Sequence, residues 1–430
     1  MSHDEPRLSS RQMLGIILAG GRGKRLGPLT ANRCKPMMPV SKLTFLDFAL
    51  ATVANALVIP HTLVLTQYKQ QGIINHLSRL GVTSSFWDRW ITPVPAQQQF
   101  DDSSWYDGTA NAVHQNCEMI ADDPADLVLI LAGDHITKLD PRQMSAFHTD
   151  MEAQFTVCGM VLPVDEARGK LGVMQLDEKG RIIGFEEKPL EPKEIPGRPG
   201  QCFASMGIYM GEKGFLLEVL AHDHADTTSE HDFGKNVIPL IIESGHEIYA
   251  YDFELNQVRG ECEEIDGKMV WSHFWRDVGT IESYHATTIN LVATKPELDI
   301  YNELWPIRSV PDHKPPYKTI SPGREDVNCA PWHISAGGSV DTNPERVYMA
   351  VSGRANRISD GAVVSESILF DGAIVGRGAH VHRTIIEEGV VVPDGFQVGY
   401  DLEMDRENKV FIDSESQIRV VTRSAQFVRM

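Results

Sequence analysis

The chain has 430 residues, of which 42% are hydrophobic and 23% are charged, as in ordinary globular proteins. Its formal net charge of −19 argues against a general affinity for nucleic acids or acidic membranes, which bind basic surfaces. The six cysteines show no paired metal-ligand spacing, residues 1–12 lack the apolar core of a signal peptide, and no stretch is apolar enough to span a bilayer. We therefore expect a cytoplasmic protein with reduced thiols, in which local cations bind any anionic ligand.

Apolar strand-like runs alternate with helix-like segments up to about residue 290. Such alternation is typical of βαβ units and predicts an α/β fold with a mainly parallel sheet covered by helices. In sheets of this kind, ligands bind beyond the carboxyl ends of the strands. The sequence predicts strands at 15–19, 62–66, 126–131 and 181–185, and helices at 44–57, 71–80 and 111–120.

The first predicted strand ends in a glycine-rich turn, Gly20–Gly23, which several cations follow. A strand that ends in such a turn exposes backbone N–H groups on a concave surface, where phosphate groups bind. Arg22, Arg25 and Lys35 add charge that can neutralise a polyphosphate. The glycine spacing matches neither the dinucleotide fingerprint nor the Walker A loop, so we exclude hydride transfer and P-loop chemistry. A tight structural turn is the alternative, but the nearby cations favour a phosphate-binding loop.

Two aspartates follow predicted strand ends. Asp134 comes directly after the apolar run 129–133, and Asp277 lies in the segment 275–280. Transfer of a nucleotidyl group needs a divalent cation that offsets phosphate charge, and carboxylates hold such a cation. Each aspartate alone could cap a helix or close a turn. The pair, together with a phosphate-binding loop, indicates metal ligation.

Three further segments carry groups that could bind a substrate. Glu187 and Lys188 end a strand-like run, and Pro189 biases the lysine toward an extended backbone that would direct its ammonium group outward. A solvated surface is the alternative for these charges. Two aromatic residues precede a flexible turn in 105–110, where they could contact a base or sugar or simply fill the core. The amides of 97–99 suit the edge of a nucleobase.

A different pattern follows a Pro-rich connector at 295–335. Short β-branched runs recur with glycines between them, which is the hexapeptide signature of a parallel β-helix. An irregular β-sandwich is the alternative. Few coils fit into this length, so the β-helix would be short and would need capping. One series of apolar or half-apolar positions has a strict six-residue step: Ala362, Ile368, Ile374, His380, Ile386, Val392 and Val398.

The motifs together resemble those of one family, the bacterial ADP-glucose pyrophosphorylases (glucose-1-phosphate adenylyltransferases). The first motif alone is shared by sugar nucleotidyltransferases in general, whereas 105–110, 205–209 and 275–280 are far more specific. The similar segments occur in order from about residue 13 to 410, at 18–26, 35–36, 47–50, 105–110, 132–135, 187–189, 205–209, 232–235 and 275–280.

The resemblance implies a Rossmann-like nucleotidyltransferase domain followed by a short left-handed parallel β-helix. On this basis we expect a tail at 1–12, a catalytic domain at 13–294, the connector at 295–335 and the β-helix at 336–430. The implied reaction converts ATP and glucose 1-phosphate into ADP-glucose and pyrophosphate with Mg²⁺, for glycogen synthesis. A homotetramer is also implied, with no nucleic-acid or membrane partner.

Site residues carried over by matching position fall into three groups. Arg22, Arg25 and Lys35 would act on the ATP phosphates and the departing pyrophosphate, while Asp134 and Asp277 would bind the metal, Asp134 also being catalytic. The sugar phosphate would contact Tyr106, Gly172, Glu187, Lys188 and Ser205, with Lys188 on its phosphate. The nucleotide would contact Leu18, Gly20, Gly21, Gln98, Gly108 and Thr109.

The chain departs from the family pattern where the family binds anionic activators and AMP. Asn32 replaces a frequent lysine, and 39–44 is short and lacks an arginine, although Arg33 and Arg383 remain as candidate regulatory residues. Asn111 replaces an aspartate, and the repeat is shorter by about one coil. We therefore expect weak activation by glycolytic sugar phosphates, or a different effector.

Three other functions stay open. The chain could be a non-catalytic regulatory paralogue, although it keeps all the charged residues named above. Its β-helix could be an acyltransferase, with His380 and His382 as candidate residues, but a short repeat leaves little room for an acyl donor. The same chemistry could also use another nucleotide or another sugar 1-phosphate.

Overall fold

The computed structural model describes residues 6–81, 90–96, 105–320, 333–342 and 346–427. The chain forms two compact units, each built from three segments. It passes from the first unit to the second directly after Gly21 and again after Gly133. The first, here called the sheet unit, contains Met1–Gly21, Phe48–Gly133 and Thr137–His273, and the second, the β-helix unit, contains Arg22–Asp47, Asp134–Ile136 and Phe274–Met430.

The sheet unit is built on one mixed sheet that has nine strands in the described part of the chain. Four neighbouring strands are parallel, and Gln201–Glu212 runs antiparallel to its neighbours on both sides. Phe155–Pro163 pairs with Gln201–Glu212 and with Ile248–Asp252. The remaining order across the sheet is Ile182–Glu186, Val173–Leu176, Gln201–Glu212, Leu127–Ala132, Met13–Ala19, His61–Thr66 and Trp90–Pro95.

The central strand, Met13–Ala19, explains the position of the first candidate loop. Its residues are almost all buried because helices cover both faces of a parallel sheet. Leu18 aligns with Ala132 of the neighbouring strand, and the Gly133 amide donates to the Leu18 carbonyl at 2.9 Å. The carboxyl ends of these two strands therefore lie side by side, as the sequence predicts.

The helices agree with the predicted pattern at 44–57 and 71–80, but the predicted helix 111–120 is wrong as a single element. It is two short helices, because Asn116 lies between them and its amide donates to the Ala112 carbonyl at 2.8 Å and to the Tyr106 hydroxyl at 3.1 Å. No helix within the described residues combines the length and the apolar character needed to cross a membrane. The helices up to residue 243 are Phe45–Asn55, Gln71–Leu80, Thr109–His114, Cys117–Asp122, Pro141–Asp150, Val164–Ala167, Lys213–Ala225 and Ile238–Glu243, with a π-turn at Phe233–Val237.

The β-helix unit contains three parallel stacks of short strands, which confirms the predicted repeat and not the β-sandwich. The helix Ile281–Asn290 precedes them, and the strand Trp275–Asp277 pairs with the short strand that begins at His135. The first face contains Lys318–Thr319, Val340–Asp341, Arg357–Ile358, Ile374–Val375 and Val391–Val392. Two longer strands, Val347–Ser352 and Val363–Leu369, each contribute to both of the other faces. The second face also contains His380–His382 and Gln397–Val398, and the third contains His333–Ser335, Thr384–Ile386 and Arg419–Val421.

Between residues 333 and 398 each coil advances 17 residues, so one of its three sides is one residue shorter than a strict hexapeptide. Val364 pairs with Val381 and Ile358 with Val375, both at this spacing. In the series with a strict six-residue step, Ile374 and His380 are half-buried, whereas the other five members are buried. Backbones with positive φ mark the corners in three ladders of the same step: Ala355, Gly372 and Gly389; Gly361, Gly378 and Gly395; and Met349, Glu366 and Arg383.

The last coil is interrupted by an insertion. The helix Leu402–Glu407 and the strand Phe411–Ile412 come between two of its sides before Arg419–Val421 completes the third. Within the insertion, the buried Asp405 carboxylate accepts a hydrogen bond from Arg419 Nε at 2.9 Å. This ion pair ties the insertion to the coil that it interrupts.

Candidate active site

Lys35 connects the two aspartates that the sequence assigns to a metal. Its Nζ donates to Asp277 Oδ1 at 2.6 Å and lies 2.9 Å from Asp134 Oδ2. The lysine is only 5% exposed, whereas the carboxylates keep 27% and 20% of their side-chain surface. All three belong to the β-helix unit, although they come from its three separate chain segments. The structure thus brings together three of the predicted site residues.

The glycine-rich turn shapes the space beside this lysine. Gly23 has φ +70, and a Cβ there would lie 2.8 Å from the Lys35 Cβ. Glycine is therefore needed at position 23, both for the positive φ and to leave room for the aliphatic part of the Lys35 side chain. A 3-10 helix, Lys24–Thr30, follows the turn, and another, Lys35–Met37, begins at the lysine itself.

The opposite charges around Lys35 and Asp277 keep both of these groups ionised. Burial raises the pKa of Asp277, but His135, Lys35 and Arg25 outweigh it and bring the pKa down to about 2 from 3.8. Burial likewise lowers the pKa of Lys35, but Asp134 and Asp277 raise it above its ordinary value. At neutral pH Lys35 is therefore protonated and Asp277 is ionised.

Arg25 and His135 also border the cluster, and the sequence predicted a role only for Arg25. Arg25 lies 3.9 Å from Asp277 Oδ2, and Gly279 makes room for it, since a Cβ there would lie 2.8 Å from its guanidinium. His135 Nε2 lies 3.9 Å from both carboxylates, with its ring edge-on to Trp275. Its Nδ1 is buried and has no hydrogen-bond partner among the described residues. His135 directly follows Asp134 in the family-like segment 132–135, and this position was the signal that could have identified it.

The two carboxylates fit a hard divalent cation that takes few protein ligands. Each carboxylate has one oxygen in contact with Lys35. The other oxygens are less closely contacted: Asp134 Oδ1 lies 3.9 Å from His135 Nε2, and Asp277 Oδ2 lies 3.9 Å from the Arg25 guanidinium. Mg²⁺ accepts one or two carboxylates and completes its shell with phosphate oxygens and water. Within the described ranges, no three His, Cys, Asp or Glu side chains are grouped to hold a metal by themselves.

The sheet unit contains the predicted sugar-phosphate residues, four of which are connected. The Glu187 carboxylate pairs with the Lys188 ammonium, and its Oε2 would lie 2.9 Å from a Cβ on Gly172. The Ser205 amide donates to the Gly172 carbonyl at 2.8 Å. The carboxylate thus lies in a space that glycine keeps open, with a half-exposed ammonium group beside it.

The predicted extended backbone at Lys188 is wrong. Its φ is +51, in the left-handed region that a residue before proline seldom adopts. Its amide donates to the Leu171 carbonyl at 3.2 Å, and Pro189 accepts from the Gly169 amide at 2.9 Å. These backbone hydrogen bonds fold the segment back on itself and override the local preference.

Tyr106, Gly108 and Thr109 precede or begin a short helix. Burial raises the pKa of the Tyr106 phenol, while Asn116 donates a hydrogen bond to it. Gly108 has φ +105, and a Cβ there would lie within 3.0 Å of two backbone carbonyl oxygens. The Thr109 hydroxyl donates to the Asp232 carboxylate at 3.1 Å. This contact of Asp232 was not predicted, although Asp232 begins the family-like segment 232–235.

The other predicted nucleotide residues lie at the end of the first strand. Leu18 is half-buried in the strand, and the Gly20 carbonyl accepts from the Tyr68 amide at 3.4 Å. Gly21 is exposed, and so is Arg22, which begins the β-helix unit. Gln98 lies outside the described residues.

The candidate regulatory arginines have different surroundings. The Arg33 guanidinium lies 4.9 Å from the centre of the Phe370 ring, 3.6 Å from Glu388 and 4.0 Å from Glu387. It is therefore already partnered by carboxylates. Arg383 is exposed at a corner of the β-helix.

The two histidines considered for acyl transfer lie on one outer face of the β-helix. His382 Nδ1 is 2.9 Å from Ser365 Oγ, and both His380 and His382 border the ring of Tyr400. These contacts occupy the histidines in a polar surface cluster.

Comparisons with known proteins cover nearly the whole chain. Residues 14–293 match the nucleotidyl transferase family model, and residues 315–421 match the model of the GlmU-like C-terminal hexapeptide region. The chain is 38% identical to the glucose-1-phosphate adenylyltransferase of Aliivibrio fischeri over 92% of this chain and 94% of that protein. It is 39% identical to the one from Thermus thermophilus over 97% and 99%, and 38% identical to the one from Frankia casuarinae over 96% and 98%. These findings confirm the resemblance and both parts of the predicted fold, including the left-handed β-helix.

Proposed function

The chain belongs to the glucose-1-phosphate adenylyltransferase family, and we propose that it transfers the adenylyl group of ATP to glucose 1-phosphate. The products are ADP-glucose, the glucosyl donor of glycogen synthesis, and pyrophosphate. The observation that carries this proposal is the contact of Lys35 with both Asp134 and Asp277. A non-catalytic paralogue would have no need to keep a buried ammonium group between two carboxylates.

The reaction needs positioning and charge neutralisation more than proton transfer. An ionised phosphate oxygen of glucose 1-phosphate attacks the α-phosphorus of ATP, so no general base is required. A phosphorus–oxygen bond forms there, and the bond to the bridging oxygen breaks, with its electron pair leaving on pyrophosphate. Lys35 stays protonated because its pKa is raised, and with Arg22 and Arg25 it neutralises charge on the departing group.

We propose that Asp134 and Asp277 hold the Mg²⁺ that this reaction uses. When bound, the ion offsets phosphate charge and orients the triphosphate. Lys35 would keep the two carboxylates close together, and its charge helps to lower the pKa of Asp277. The donor set supports this proposal because hard oxygen ligands suit Mg²⁺.

In the sheet unit, Lys188 would bind the phosphate of glucose 1-phosphate, and Glu187 would bind sugar hydroxyls. The support is the half-exposed ammonium group of Lys188 and the room that Gly172 leaves around the Glu187 carboxylate. Tyr106 and Ser205 would complete this sugar site. Gly108 and Thr109 would contact the nucleotide, together with Leu18, Gly20 and Gly21.

The test is a panel of four nucleoside triphosphates against glucose, glucosamine and mannose 1-phosphates, with pyrophosphate release and product mass as readouts. We expect the highest kcat/KM for ATP with glucose 1-phosphate, and a value at least about a hundredfold lower for the Asp277→Asn protein, which controls for a contaminating enzyme. A higher kcat/KM for another pair would overturn the substrate assignment. Absence of pyrophosphate with every pair would instead favour a regulatory paralogue.

Regulation and assembly are further parts of the proposal. Weak activation by sugar bisphosphates is supported by the carboxylates that already border Arg33. Strong, saturable activation by fructose 1,6-bisphosphate would contradict it. A cytoplasmic homotetramer follows from the family resemblance, and light scattering of the purified protein would test its mass.

A further inference from the structure

The carbonyl oxygen of His231 holds the start of the helix that follows Gly108. It accepts the amides of Ala110 at 2.8 Å and of Asn111 at 3.2 Å. The first amides of a helix have no acceptor within the helix, so an outside acceptor fixes where the helix begins. The position of this one carbonyl therefore determines the path of the backbone at Gly108 and Thr109.

The conformation of His231 is unusual and is held by a side-chain network. Its φ is +52, in the left-handed region that non-glycine residues seldom adopt. Its Nδ1 lies 2.8 Å from Asp223 Oδ2, and its amide donates to the Ser229 hydroxyl at 2.9 Å. That hydroxyl in turn donates to Asp223 Oδ1 at 2.7 Å. Both oxygens of one carboxylate thus fix the left-handed turn.

Asp223 is well placed to act as the anchor. It is only 4% exposed, and it lies near the end of Lys213–Ala225, the longest helix among the described residues. A buried carboxylate with hydrogen bonds to both oxygens is costly to disturb. The turn at His231 therefore depends on a fixed point in the core of the sheet unit.

The residue after His231 makes a second connection to the same segment. Asp232 accepts from the Thr109 hydroxyl at 3.1 Å, and the same hydroxyl accepts from the Phe233 amide at 3.1 Å. A Cβ on Gly108 would meet the His231 carbonyl itself. The segments 108–111 and 231–233 are therefore joined by four hydrogen bonds.

We propose that Asp223 and His231 are positioning residues, which set the backbone of Gly108 and Thr109 for binding ATP. Neither need touch a substrate, since both act through the His231 carbonyl. This inference rests on the proposed function only in identifying the ligand of Gly108 and Thr109 as ATP. The hydrogen-bond network itself does not depend on that identification.

The experiment compares His231→Ala, His231→Asn and Asp223→Ala with a matched control, Asp226→Ala. Asparagine tolerates the left-handed region and has a side-chain N–H for the carboxylate, so it should restore most of what alanine loses. Asp226 is an exposed carboxylate nearby whose hydrogen bonds go to Thr228 in its own turn. The readouts are amide hydrogen exchange in 106–114, KM for each substrate, kcat and the melting temperature.

We expect faster exchange at Ala110 and Asn111 in the two alanine variants of the network, with KM for ATP raised about tenfold. KM for glucose 1-phosphate should stay within about twofold, because Glu187 and Lys188 are untouched. A merely structural role would reduce the active fraction and leave both KM values unchanged. If Asp223→Ala fails to fold, the two His231 variants decide the question.

Exchange and KM for ATP that match wild type in a folded His231→Ala protein would overturn the proposal. So would equal effects of alanine and asparagine at this position. Failure of the wild-type protein to form ADP-glucose would overturn the proposed function instead. In that case the exchange data would still decide whether the network holds the backbone.

Discussion

Replacement of Lys35 by methionine tests the charge cluster most directly. The side chain keeps its length but loses the ammonium group that lies 2.6 Å and 2.9 Å from the two carboxylates. Removing one partner of a buried ion pair costs about 3 kcal/mol or more, and two carboxylates then face each other without the cation. We expect the pKa of Asp277 to rise, because Lys35 is one of the charges that lower it.

The catalytic loss should exceed the loss of stability. Removal of one preorganised charge from a transition state lowers kcat by roughly a hundredfold to a thousandfold. The assay is pyrophosphate release with both substrates saturating, and thermal unfolding is followed on the same sample. Lys318→Met is the control, since it removes an exposed lysine of the β-helix unit and should leave kcat unchanged.

A double-mutant cycle with Asp277→Asn sharpens the test. Because the two side chains are in contact, their effects on kcat should be strongly non-additive. If Lys35→Met kept more than half of the wild-type kcat, or if the two changes simply added, the reasoning about this cluster would be refuted.

Three further changes have definite expected outcomes. Lys188→Ala should raise KM for glucose 1-phosphate about tenfold or more with little change in kcat, and an unchanged KM would contradict the phosphate contact. The control is Lys193→Ala, which removes a lysine that pairs with Glu186 and should leave this KM unchanged. Gly108→Ala should lower the free energy of unfolding in urea by about 2 kcal/mol or more, because the backbone φ is positive and two carbonyl oxygens occupy the space of the new methyl group. The control is Gly214→Ala, at a helical position with open space around it, which should be neutral or stabilising. Burial raises the pKa of Glu212, but His148 and Arg11 bring it down to about 2 from 4.5. The ionised carboxylate therefore stabilises the folded protein above pH 4.5, and this stabilisation is lost as the pH falls through about 2. Glu212→Gln should therefore lower the urea midpoint at pH 7 and flatten its decline in acid; an unchanged acid profile would count against the ion pair.

The parts of the fold that follow from local patterns were predictable. Continuous apolar runs identified the strands that precede Gly20 and Asp134, because buried parallel strands have no polar face. The single helix at 111–120 was not separable by pattern, since its break depends on the Asn116 side chain reaching Ala112 and Tyr106. The 17-residue length of the coil was also not evident from the sequence. One side of each coil has five residues instead of six, but most positions of a strict six-residue series are still apolar.

The site was predictable by residue and less so by contact. Lys35, Asp134 and Asp277 each stand in a recognisable motif, but nothing in the sequence says that one ammonium group contacts both carboxylates across separations of 99 and 242 residues. Lys188 shows the opposite case, in which a sound local rule fails because hydrogen bonds from distant backbone decide the conformation. Contacts and conformations that depend on distant parts of the chain can be identified only from the structure.

The discontinuity of the β-helix unit sets an order of events during synthesis. Asp277 leaves the ribosome 143 residues after Asp134, which takes about ten seconds or more at ordinary elongation rates. Until then Lys35 has only one of its two carboxylate partners, whatever the state of the sheet. A nascent or truncated chain that ends before Phe274 therefore cannot assemble the charge cluster. Premature termination before this point would release a protein without this cluster.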